Sequence, residues 1–128
     1  MDPKSKQALD AFGHAVVHEV YDRTLTYLQH KLSRGMKGIR PDPLHLAYQA
    51  LDAESAETLR KFLVEAVDQT FAQLLSFFEV HEIPILFPAE DGESVNVTAV
   101  SDGLPAEPYN DEGWIARFSK YKDCLLDA

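Results

Sequence analysis

Apolar residues recur at helical spacing almost from the start of the chain. Leu9, Phe12, Val16, Val20 and Tyr27 mark one stripe, and Asp2-Pro3 ahead of them supplies an N-cap acid with a proline at the first turn. A second apolar row, Val17, Tyr21, Leu25, Leu28 and Leu32, runs beside the first toward the C-terminal half. A helix apolar on two faces is either central in its own domain or shared with a partner. Gly35 and Gly38 provide a stop, so the spacing predicts a helix over 3–34. Arg40-Pro41-Asp42-Pro43 cannot continue it, because each proline lacks its N–H and restricts the residue before it. Leu44, Ala47, Tyr48 and Leu51 then suggest a short helix or turn over 44–51. A second long helix over 55–79 can be capped by Asp52 or Ser55. Its apolar set is Leu59, Phe62, Leu63, Ala66, Val67, Thr70, Phe71, Leu74, Phe77 and Phe78. Lys61, Glu65, Asp68, Ala72, Ser76 and Glu79 fall on the opposite, solvated face.

The period then changes. Ile83-Pro84-Ile85-Leu86-Phe87 is short and β-rich, and 94–100 alternates Val95, Val97 and Ala99 inward against Asn96 and Thr98 outward. Asp91-Gly92 between them is a turn signal, so the pair reads as a β-hairpin, with Pro84 confining the first strand to an edge. Residues 104–112, with two prolines, read as irregular. A short final helix over 113–121 follows, capped by Asp111 and burying Trp114, Ile115, Phe118 and Tyr121. The expected fold is α+β and mainly α-helical: two long antiparallel helices, a β-hairpin and a short C-terminal helix. One domain spans 1–128, with 1–79 as its helical part and 80–128 as hairpin, irregular loop and closing helix.

Charge alters this picture more than composition does. The chain has 12 Lys+Arg against 21 Asp+Glu, a net of −9 over 128 residues. No Lys or Arg stands between Lys61 and Arg117, while eleven acids do. Binding to a nucleic-acid backbone needs surplus cations, so that class is set aside. A compact acidic body instead attracts basic protein surfaces and speeds their encounter. A smaller basic cluster, Lys31, Arg34, Lys37 and Arg40, suits the C-terminal dipole of the first helix. The single Cys124 leaves no internal disulfide and no multi-cysteine zinc site. No apolar run approaches the roughly 20 residues of a membrane span, and residues 1–6 do not read as a signal peptide. A soluble, cytoplasmic protein is expected.

Catalytic chemistry has few candidates. Asp10, His14, His18 and Asp22 stand four apart and form a ladder along the first helix, where two histidines could share a divalent ion. The zinc-protease pattern needs Glu directly after the first His, and Ala15 occupies that place. His81, between Glu79 and Glu82, sits where the second long helix gives way to the hairpin, in reach of two carboxylates that would hold its cation. His30 and His45 have no recognisable partners. Asp123 and Asp127 disfavour the thiolate that a catalytic Cys124 would require. Arg117 and Lys120, on a closing segment whose aromatics serve the core, are placed to relieve the acidic loops.

The small acidic helical body, the acid-rich hairpin and the segment Gly113-Trp114-Ile115-Ala116-Arg117-Phe118-Ser119-Lys120-Tyr121 together resemble bacterial immunity-type proteins. The resemblance implies a cytosolic protein that binds and occludes an antibacterial toxin, without catalysis and without a cofactor. The residues expected to meet such a basic partner are Glu79, Glu82, Glu90, Asp91, Glu93, Asp102, Glu107, Asp111 and Glu112. Two other readings stand beside it. One is a helical homodimer acting as scaffold or regulator, joined through the second apolar row around Leu25. The other is a metal-dependent enzyme built on His14 and His18.

Overall fold

The computed structural model describes residues 1–35, 38, 40–123 and 126. The expected helix over 3–34 forms as one continuous rod in three parts: α1 (Pro3–Val16), a π-helical turn (Val17–Asp22) and α2 (Arg23–Arg34). Asp2 caps it by accepting the Ser5 N–H at 2.8 Å, and Gly35 ends it with φ at 78°, a conformation glycine adopts without penalty.

The π turn resolves the two apolar rows. Its i→i+5 bonding takes in one extra residue, which turns everything after it by about 100°. Before the turn the inward residues are Ala8, Leu9 and Gly13, with Phe12 and Val16 beside them; from the turn onward they are Val17, Tyr21, Leu25 and Leu32. Two rows that a regular helix would point in different directions thus form one inner face. The second row is core, with Leu25 fully buried, and is not a surface for a second copy. The far end of the first row is turned outward instead: Val20 is 48 % and Tyr27 49 % exposed, contrary to the expected buried stripe.

α3 (Pro43–Gln49) starts under Asp42, whose buried carboxylate accepts the Leu44 N–H at 3.1 Å and pairs with Lys31 at 2.7 Å. His45, expected to be partnerless, donates from Nδ1 to the Leu32 carbonyl at 2.6 Å and so caps the end of α2. α4 (Ala53–Val80) is capped by Asp52 and lies antiparallel to the rod. Tyr21 ties the two together: its hydroxyl donates to Asp68 Oδ1 at 2.6 Å and its ring meets Phe71 at 5.7 Å.

The hairpin is shorter than the alternation suggests. β1 (Leu86–Pro88) pairs antiparallel with β2 (Ser94–Asn96) in the register Leu86↔Asn96, Phe87↔Val95 and Pro88↔Ser94. The Val97 N–H still reaches the Ile85 carbonyl at 2.9 Å, but the return bond is missing: the Ile85 N–H goes to Asn96 Oδ1 at 3.3 Å and the Val97 carbonyl accepts the Ser101 N–H at 3.1 Å. Residues 97–100, expected as strand, therefore wind into a helical turn, α5 (Val97–Val100), under the Asn96 side chain. Val97 points inward as expected, whereas Ala99 is exposed.

After a 3₁₀ turn at Leu104–Ala106, the closing helix α6 spans only Trp114–Phe118. Asp111 does not cap it; Gly113 holds the cap position with no side-chain bond. It ends early because Asp22, buried in the π turn, takes the next residues: it accepts the Ser119 hydroxyl at 2.5 Å and the Lys120 N–H at 3.0 Å. One hydrophobic cluster joins both parts of the chain, from Leu9 and Val17 through Phe71 and Leu75 to Val97, Leu104, Trp114 and Tyr121.

Trp114 is fully buried, edge-on to Phe12 at 5.7 Å, and its indole lies where a side chain on Gly13 would stand. A Cβ built on Gly13 falls 2.4 Å from the indole, closer than any real contact. Gly13→Ala therefore has a diagnostic sign. In an open helix the change stabilises by up to about 1 kcal/mol. Here the overpacked indole should reverse that and destabilise by about 1–3 kcal/mol. Urea unfolding should show it, with Gly103→Ala, where the added carbon meets only ordinary contact at 3.9 Å, as the neutral control.

Candidate partner-binding surface

The nine acids expected as a contact field divide into two groups. Four hold the fold. Glu79 accepts the Leu104 N–H at 2.6 Å and starts the 3₁₀ turn, and Glu107 accepts the Ser101 hydroxyl at 2.9 Å. Asp91 and Glu93 clasp Lys4 of α1, with Asp91 at 2.9 Å, which pins the hairpin turn to the first helix. The Glu93 N–H, and after it Lys4, hold the Asp91 carboxyl below its usual range; Glu93, then Asp91, push the Lys4 ammonium up. The other five, Glu82, Glu90, Asp102, Asp111 and Glu112, are exposed and carry their charge into solvent.

The histidine ladder is taken apart by the π turn. His14 and His18 do stack, ring centres 6.3 Å apart and planes 17° from parallel. Their expected carboxylate neighbours are engaged elsewhere: Asp22 faces inward to the closing segment, and Asp10 pairs with Arg117 at 3.0 Å. Arg117 therefore serves α1 and not the acidic loops, with Phe118 under its guanidinium. Among the described residues no three His, Cys, Asp or Glu are grouped to hold a metal. Glu79 turns from His81 to Leu104, and His81 leans on the Phe77 ring at 4.8 Å. Lys31 of the basic cluster is the half-buried partner of the buried Asp42. Cys124 and Lys37 lie outside the described residues. No helix among the described residues is long and apolar enough to cross a membrane.

A surface that the charge pattern does not point to lies on α4. Its inward side is Val64, Phe71 and Leu75. The rod and the 3₁₀ turn pack on α4, so among the described residues the flank running through Phe62, Ala66, Thr70, Leu74 and Phe77 is left uncovered. Phe62 is 68 %, Leu74 49 % and Phe77 52 % exposed. Between this flank and the outward-turned Val20 and Thr24 of the rod runs a groove of about 190 Å³, with Val67, Thr70 and Leu74 on its other wall. The sequence placed these α4 residues in the core because ten apolar positions cover more of the helix than its neighbours can bury.

Asp68 sits at the inner edge of α4, half-buried. Burial pushes its carboxyl above the ordinary 3.8; the Tyr21 hydroxyl opposes this and the Glu65 charge adds to it. Folding thus favours the protonated acid. Its contribution is present below 3.8 and is lost as pH rises through the folded-state value. Asp68→Asn keeps an acceptor for Tyr21 and does not titrate. Its urea midpoint relative to wild type should rise from acid to neutral pH; a falling difference would contradict the burial.

Comparison of the chain with protein-family models, with curated proteins and with solved structures finds no match in any of the three.

Proposed function

We propose that the protein is a protein-binding module, most concretely an immunity-type inhibitor that occludes a basic toxin domain. The observation that carries this is the open apolar seam of α4 and the rod, which none of the described elements of the chain covers. Phe62, Leu74 and Phe77 are the kind of large apolar side chains that anchor an interface once desolvated. The acidic surplus supplies the complement: a partner studded with Lys and Arg is drawn in by the net −9 of the chain and oriented by Glu82, Glu90, Asp102, Asp111 and Glu112. Two copies of this chain repel each other by the same charge, which favours a different protein over a homodimer. Anchors set how long the complex lives, and charges set how fast it forms.

Capture from the lysate of the source organism at low salt, followed by a rising salt gradient, brings out the partner. Leu74→Lys should weaken a genuine complex by about 2 kcal/mol or more, roughly thirtyfold in Kd, mainly by faster dissociation. Reversing Glu90, Asp111 and Glu112 to Lys should slow association and flatten its salt dependence. Asp91 and Glu93 are left intact because they hold Lys4. A captured protein that is not basic, or that binds both sets of variants as it binds wild type, contradicts the proposal. For the inhibitor reading, the purified partner must lose its activity at one-to-one addition of the chain.

A further inference from the structure

The C-terminal half of the rod carries a feature of opposite sign to the rest of the molecule. Arg23, Tyr27, His30 and Arg34 follow one another at spacings of four, three and four, which places them on one face of α2. With Lys31 and Arg40 they line a cleft of about 650 Å³, within the roughly 300–1,000 Å³ of small-molecule sites. Lys31 is neutralised by Asp42, but Arg23, Arg34 and Arg40 make no ion pair among the described residues. The helix dipole accounts for a cation at Arg34. It does not account for Arg23, about 16 Å up the axis, because that field fades within the last turn. In a chain with nine more acids than bases, this cavity thus keeps three guanidinium groups with no carboxylate partner among the described residues.

We propose that this cleft binds a small phosphorylated ligand, with Arg23, Arg34 and Arg40 holding its phosphates and Tyr27 walling its body. Guanidinium groups match phosphate oxygens in pairs of parallel hydrogen bonds, which lysines do not. The half-exposed Tyr27 ring, between Arg23 and Arg34 along the helix, offers a flat surface to a planar group carried by the same ligand. Length also points to a ligand with more than one phosphate or with a sizeable body, since a single phosphate cannot span the helix face from Arg23 to Arg34. This site is independent of the seam and survives if the partner reading fails.

The test is calorimetric titration of the full chain with sodium pyrophosphate and with ATP, at constant ionic strength. Both should bind saturably at one-to-one stoichiometry, ATP the tighter. Arg23→Gln and Arg34→Gln, both at exposed positions, should each weaken ATP binding about tenfold or more while the circular dichroism spectrum stays unchanged. Absence of saturation, or binding that persists in both variants, overturns the site. ATP binding no tighter than pyrophosphate, or unaffected by Tyr27→Ala, overturns the role of Tyr27.

Discussion

One extra residue in the first long helix sets the rest of the structure. The π turn at Val17–Asp22 swings the C-terminal half of the rod so that Tyr21, Leu25 and Leu32 continue the inner face begun by Leu9 and Gly13. The same rotation brings Asp22 inside, where it holds Ser119 and the Lys120 backbone and fixes how the chain closes over the core. It brings Tyr21 to Asp68 and so sets the rod against α4. It also turns Val20 and Thr24 outward, beside the flank of α4 that no other described element packs upon. A buried carboxylate satisfied by two donors and an exposed apolar groove are thus two results of one local departure from the regular helix. π turns of this kind recur at functional places in helices, because they place side chains where a regular helix cannot.

Local chemistry explains what was legible in the sequence. Asp2-Pro3, Asp52, the glycine at 35 and the prolines at 41 and 43 act within a few residues of themselves, so the helix ends fall close to where they mark them. Asp91-Gly92 likewise locates the hairpin turn, with Gly92 at φ of 84°. The π turn was not legible, because a reading at constant period carries the phase of Leu9 and Phe12 unchanged to Val20 and Tyr27. The end of β2 was not legible either: the Asn96 side chain takes the Ile85 N–H across the sheet and the Ala99 N–H of the turn that follows, a pairing set by the partner strand.

For the candidate surface, charge could be counted but not assigned. Which acids hold the fold depends on donors far away in sequence, Lys4 for Asp91 and Glu93 and the Leu104 N–H for Glu79. The seam was hidden for the opposite reason, since Phe62, Leu74 and Phe77 carry the same helical signal as Phe71 and Leu75, and only the neighbours decide which are covered. The spacing of Arg23, Tyr27, His30 and Arg34 was there to be read, and the acid excess drew attention from it.

In the function proposed above, the apolar seam and the acidic surplus belong to one picture: a monomer that repels its own copies and keeps an anchoring surface open for a basic protein. Sedimentation equilibrium of the isolated chain at micromolar concentration and physiological salt tests it most directly. The expected result is the monomer mass of 14.4 kDa at every concentration. A dimer that Leu74→Lys dissociates would place a second copy on the seam and contradict the picture.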